Sequence, residues 1–266
     1  MARLDKARKA FLEKNIEEAR KAHENEAIKE EPWHKTEAGR YIEPAVYGAT
    51  DGIITTFAVV AGVAGASLSP KIVLILGLAN LLADGLSMAV GDYLSTKSRI
   101  DYERSEWERE RWEVENFPDA EELEMREIYR RKGLKEEDIN KIIDVLKNNK
   151  DFWVETMMKD ELGILPEDTQ SPLKSSFVTF SSFALAGFIP LLAYILSYFI
   201  PFFAAHQFLI ASVMTGITLF FVGALRQLVT GVKWWKGGFE MLTIGSISAV
   251  VAYLVGFFLR RIAEGV

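Results

Sequence analysis

YGATDGIITTFAVVAGVAGA, residues 47–66, has the composition of a membrane span yet carries an aspartate, Asp51, near its start. A second apolar run, VLILGLANLLADGLSMAVG at residues 73–91, carries Asp84. A charged side chain at the centre of a span costs about 3 kcal/mol, so such groups face a water-filled cavity or a partner and mark functional positions. On the second span Asn80, Asp84 and Met88 recur every four residues and form one slowly rotating polar stripe. On the first, Thr55 follows Asp51 by one turn. Two spans, each with an acid on one face and a methionine toward the end of the second, describe a cation path. Carboxylates in such a path also take up protons, which allows exchange of metal against H⁺. The competing reading is structural: an aspartate capping a helix break at Gly52 or Gly85, or a buried hydrogen bond between spans.

Outward from these two runs, charge is distributed in blocks. Residues 175–225 and 241–259 contain no Asp, Glu, Lys or Arg, whereas residues 1–43 and 92–172 hold most of the charge. A hydrocarbon core of roughly 30 Å needs about 20 apolar helical residues. Five spans are therefore expected, at 45–67, 71–94, 176–199, 207–230 and 239–261, with a turn near FIPFFAAHQ (199–207). The fold class is an all-α membrane protein, with a cytoplasmic helical metal-binding domain inserted between spans two and three. Its parts are a charged N-terminal cytoplasmic helix (1–40), spans one and two (41–96), the inserted domain (97–170) and spans three to five (171–266). The net charge of −6 gives no sign of a nucleic-acid partner. The chain has no cysteine, which excludes disulfides and thiolate metal sites. The N-terminal segment is too charged for a secretory signal, so the first span serves for insertion. Lys and Arg near the span ends place the N-terminus and the large insertion in the cytoplasm. Five spans then put the C-terminus outside, with Arg260 and Arg261 at that end.

Residues 3–30 read as one solvated helix with a loose apolar stripe at Leu4, Ala7, Phe11, Ile16 and Ala19. Glu43-Pro44 suits the first turn of span one, and Ser69-Pro70 closes the first hairpin. The second span is expected to continue into water as far as Phe117, since no Gly or Pro interrupts it beyond Tyr93. Asp119 with Glu122 reads as a capping box for the next helix, which stops at Gly133. KEEDINKIIDVLKNN and KDFWVETMMKDELGI complete the insertion, the last ending at Gly163.

In the first of these helices Glu103, Glu106, Glu110 and Glu113 fall within an arc of about 80°. Arg104, Arg109 and Arg111 lie off that face. The second helix offers Glu121, Glu124 and Glu127, and the last brings Met157 and Met158 within one turn of Glu161. A solvated acidic surface and a core methionine pair are the plain readings. The combination of facing acidic helices with thioethers favours a transition-metal site instead, because helical bundles build such sites from inward glutamates and thioethers suit softer ions than Mg²⁺ or Ca²⁺.

Four segments, ATDGIITTFAVVAGVAGA (49–66), LADGLSMAVGDYLSTKS (82–98), DFWVETMMKDELGI (151–164) and FALAGFIPLLAYIL (183–196), resemble the vacuolar iron transporter family in content and order. The resemblance covers about residues 41–262. It implies five spans, a homodimer with the pore at the subunit interface, and a cytoplasmic metal-binding domain. It implies a transporter without a prosthetic group, not an enzyme, that exports Fe²⁺ and often Mn²⁺ in exchange for protons; Co²⁺ and Zn²⁺ are further candidate ions. The membrane is a plasma membrane in a prokaryote and a vacuolar one in a eukaryote. By resemblance Asp51 and Met88 match pore residues, and Glu110, Glu113, Glu121, Glu124, Met157, Met158 and Glu161 match ligands of the soluble domain. Glu103 and Glu106 share the face of Glu110, and Glu43, Asn80 and Asp84 are further candidates. Asn80 stands where plant-type members carry glutamate, with Asp84 one turn away to replace the charge. The alternative function is a membrane-tethered ferritin-like iron oxidase or sensor. Diiron sites of that kind need Glu-x-x-His pairs, and the three histidines, His23, His34 and His206, all lie outside the acidic insertion.

Overall fold

The computed structural model describes residues 3–24, 41–164, 171–225 and 233–263. All regular elements among them are helices: α1 (Arg3–Glu13), α2 (Ile16–Ala22), α3 (Ile42–Gly65), α4 (Pro70–Asn116), α5 (Pro118–Arg131), α6 (Glu136–Lys147), α7 (Lys150–Asp160), α8 (Pro172–Leu196), α9 (Pro201–Ala205), α10 (Gln207–Leu225) and α11 (Trp234–Ala263). The chain divides into two units, Met1–Tyr41 and Ile42–Val266. In the first, the single helix expected over 3–30 is two. Lys14 takes a left-handed φ of 53°, and the Asn15 side chain caps α2 by accepting a hydrogen bond from the Glu18 amide at 3.1 Å. Residues 25–30 of that expectation lie outside the described residues.

In the second unit α3, α4, α8, α10 and α11 are each long and apolar enough to cross a membrane. Their outward faces are apolar. Leu82, Leu86, Val90, Phe177, Leu185, Ile217, Phe221, Val250 and Phe258 are all exposed, a continuous apolar surface that water would penalise at about 25 cal/mol per Å². With no hydrophobic drive between helices in lipid, close backbone approach has to hold the bundle. A Cβ at Gly52 would stand 2.3 Å from the Phe183 carbonyl oxygen, and one at Gly187 2.6 Å from that of Gly52. At the far end of α3, a Cβ at Gly65 would stand 2.1 Å from the Tyr253 carbonyl oxygen. These contacts clamp α3 between α8 and α11, around a core of Phe57, Val60, Val73, Leu81, Phe183 and Leu191.

The first hairpin closes as expected, with Ser69 capping α4 and Pro70 at its start. By its 47 residues α4 is about 70 Å long, far more than a bilayer core. It continues past Tyr93 as the sequence indicates and stops where Pro118 begins the next helix. The capping box does not form there. Phe117, not Asp119, caps α5 and does so without a side-chain bond, because Pro118 sets the helix start and leaves Asp119 inside the first turn. Glu122 pairs instead with Arg126 at 2.7 Å and with Lys147 of α6. Gly133 and Gly163 adopt φ of 86° and 68°, the left-handed values that favour glycine beyond a helix end. α7 itself ends three residues before Gly163, at Asp160. The end of α4 and helices α5, α6 and α7 share their own apolar core: Val114, Met125, Ile139, Ile143, Leu146, Trp153, Val154 and Met157.

Two expectations near the last spans change. Trp234 to Gly238 are helical rather than loop, because Gly237 and Gly238 let α11 approach Gly223 and Phe220 of α10. The turn at 199–207 holds a short helix, α9. Residues 226–230, expected to finish the fourth span, lie outside the described residues.

Candidate metal-binding sites

The polar groups of the spans come from two helices that continue through their glycines. α3 runs unbroken past Gly52 and α4 past Gly85, so neither aspartate caps a helix break. Asp51 and Asp84 are both part-buried. The Thr55 hydroxyl donates to the Asp51 backbone oxygen at 2.8 Å and is unavailable to its carboxylate. Among the described residues no hydrogen bond between spans occupies either carboxylate. Two acids on neighbouring apolar spans, with no hydrogen bond to either carboxylate among the described residues, form an attractive place for a cation. Met88, one turn beyond Asp84, is part-buried against the bundle core, and the Asn80 side-chain nitrogen is buried without an acceptor. Glu43 lies exposed in the first turn of α3.

The second concentration of acids lies beyond the spans. Glu110 on α4, Glu121 in the first turn of α5 and Glu161 at the C-terminal cap of α7 bring one oxygen each within 4.8 Å of one another. Glu110 is 1% exposed and Glu121 5%, so two members of the cluster are set into the core, while Glu161 is exposed and opens the cluster to solvent. Arg109 comes within 2.6 Å of Glu110, yet off the hydrogen-bonding direction, and neither Glu110 oxygen has a hydrogen-bond partner. Three ionised carboxylates at this spacing repel by about 3 kcal/mol per pair at an effective dielectric near 20. Glu161 also sits at the negative end of the α7 dipole. This repulsion favours the protonated form of the buried members. Burial, then the charge of Glu161, pushes Glu110 up to about 7 against the pull of Arg109. Burial, then Glu124, does the same to Glu121, again to about 7. Glu161 is raised by burial and by Glu124.

The remaining acids divide by partner. Glu124 is exposed and acts on the cluster through its charge. Arg109 lies over the glutamate face, not off it: its guanidinium donates to Glu106 at 2.9 Å and to Glu113 at 2.6 Å. A flexible side chain four bonds long reaches across the arc that a helical wheel assigns by Cβ position alone. Glu103 pairs with Arg99. Met157 and Met158 are buried in the local core. α7 thus contributes apolar packing through its methionines and a carboxylate through its end.

A sequence model for the family described as the VIT family matches residues 42–257. The chain belongs to that family. Among similar proteins, one from Toxoplasma gondii named vacuolar iron transporter is 36% identical over 97% of this chain and 89% of its own length. One from Plasmodium falciparum with the same name is 34% identical over 96% of each. Vacuolar iron transporter 1 of Arabidopsis thaliana is 35% identical over 83% of this chain and 88% of its own length. The VIT-family match spans both acid groups, from the first turn of α3 into the last turns of α11. The Arg109 bridge is one feature the spacing of glutamates does not reveal. Asp92 is another; the four-residue period Asn80, Asp84, Met88 reaches it when followed one step further.

Proposed function

We propose that this multi-pass membrane protein is a divalent metal transporter, not an enzyme, that moves Fe²⁺, and Mn²⁺ second, out of the cytosol in exchange for protons. The observation that carries the reading is the convergence of Glu110, Glu121 and Glu161 at one end of the same continuous helix that carries Asp84 and Met88 through the spans. Lys and Arg near the span ends support placing the carboxylate cluster in the cytoplasm, where it captures metal. At neutral pH the cluster exchanges protons for the ion, since a metal can bind only carboxylates that have shed them. Glu113 and Glu124 hold the local potential negative, while Met157 and Met158 pack the core from which the site is built. By the family likeness the working unit is a homodimer with the path between subunits.

Within the spans Asp51 and Asp84 would replace part of the ion's hydration, and Asn80 supplies a neutral polar group where a third charge would add repulsion. Proton exchange then rests on these two aspartates. The test is flux in proteoliposomes with Fe²⁺, Mn²⁺, Co²⁺ and Zn²⁺, with and without a pH gradient. Asp51→Ala should abolish uptake of Fe²⁺; equal flux in that variant would refute the path.

A further inference from the structure

The polar stripe of α4 extends beyond Met88. Asp92 follows at the same four-residue interval, and Thr96, one more turn along, is buried. One carboxylate oxygen of Asp92, Oδ2, is buried and accepts no hydrogen bond among the described residues. The stripe is thus unsatisfied at both ends, at the Asn80 nitrogen and at the Asp92 oxygen. A structural aspartate near a helix surface normally finds a donor, because leaving a buried acceptor unpaired costs about 1–3 kcal/mol.

The level of Asp92 follows from the packing of α4 on α8. Gly77 meets Leu191, Leu81 meets Gly187 and Gly85 meets Phe183, so the two helices run antiparallel in constant register. Carried two turns further, this register sets Asp92 opposite the first turns of α8, near the buried Ser175. Asp92 therefore stands where the span bundle gives way to the acidic helices. At 1.5 Å per residue it is about 12 Å along α4 from Asp84 and about 27 Å from Glu110.

On the transport reading above, an ion leaving the carboxylate cluster would otherwise meet Met88 as the outermost group of the stripe. A thioether is neutral and soft and does not draw a hydrated divalent cation out of water. A carboxylate does. We propose that Asp92 is the loading ligand of the path: it takes a divalent cation at the mouth of the bundle and passes it to Met88 and the Asp84–Asp51 pair, in steps of about one helical turn, or 6 Å.

The test uses the full chain in liposomes, with Mn²⁺ as the probe. Asp92→Asn keeps the shape and removes the charge. It should lower flux at sub-saturating Mn²⁺ by about tenfold, the scale on which a lost metal contact is felt, while Co²⁺ binding at the Glu110 cluster in detergent stays unchanged. Asp92→Glu should recover most of the loss. Wild-type flux in Asp92→Asn overturns the assignment. Should that variant fail to fold, the wild-type chain decides: Mn²⁺ should slow carbodiimide modification of Asp92, read by peptide mass spectrometry, and unprotected labelling overturns the role. A wild-type chain that moves no divalent cation overturns the transport reading itself, and this proposal with it.

Discussion

The two halves of α4 are one unbroken helix with opposite surfaces. Along the span half, Leu82, Leu86, Val90 and Leu94 point outward, while Asn80, Asp84, Met88 and Asp92 are part-buried. Along the far half, Asp101, Glu108, Arg111 and Glu115 are exposed, and Glu110 alone among the acids there is fully inward. In the first half the surroundings are lipid, so the acids and Asn80 turn in. In the second the surroundings are water, so an inward carboxylate is an exception and needs a compensating partner. On the proposed transport reading, the same residue type marks a path in one half and a capture site in the other.

With that division of labour the two halves respond differently to charge removal. Asp84→Asn should reduce Mn²⁺ flux in liposomes on the order of 100-fold, while Co²⁺ binding at the Glu110 cluster in detergent keeps its affinity. Flux within a factor of two of wild type would remove Asp84 from the path.

The capture site should answer to pH. Glu110 and Glu121 both release protons near 7 in the empty protein, so apparent affinity for Mn²⁺ should weaken by up to about 100-fold from pH 8 to pH 6 as two protons compete. Stability of the metal-free helices runs the other way. Both carboxyls bind protons more tightly folded than unfolded, so acidification from pH 8 through 7 toward the ordinary glutamate range stabilises the fold. Titration calorimetry and melting curves at both pH values check the two signs.

Glu110→Gln should raise the KM for transport about tenfold and leave the maximal rate near wild type. An unchanged KM would detach the cluster from delivery. The smallest effect is reserved for Arg109→Gln, which spares every candidate ligand. Removing a cation that holds Glu110 down should move the midpoint of pH-dependent metal binding upward by less than about one unit. A downward shift would contradict the electrostatics of the cluster.

Much of this was legible without coordinates. Uncharged runs identify the five spans, because lipid tolerates no unpaired backbone and few charges, and the gap without Gly or Pro between Asp92 and Phe117 announces the long α4. Gly133 is legible as a stop because few other residues accept its φ of 86°. Helix ends governed by competition were not. Asp119 lost its capping role to the Phe117-Pro118 junction, and Lys14 with Asn15 split a helix whose apolar stripe is continuous. Side-chain reach was hidden as well: a wheel places Arg109 beside the glutamate face, and only its rotamer lays it across Glu106 and Glu113.

Sequence alone determined the five apolar helices, the acidic insertion and the family, since all three rest on composition, order and local periodicity. Tertiary structure decided which carboxylates meet. Glu110, Glu121 and Glu161 lie on three helices, and their convergence depends on how α5, α6 and α7 fold back on α4 around Met125, Ile143 and Trp153. Local spacing sets the face a side chain occupies on its own helix; the face it confronts is set by packing between helices distant in the chain.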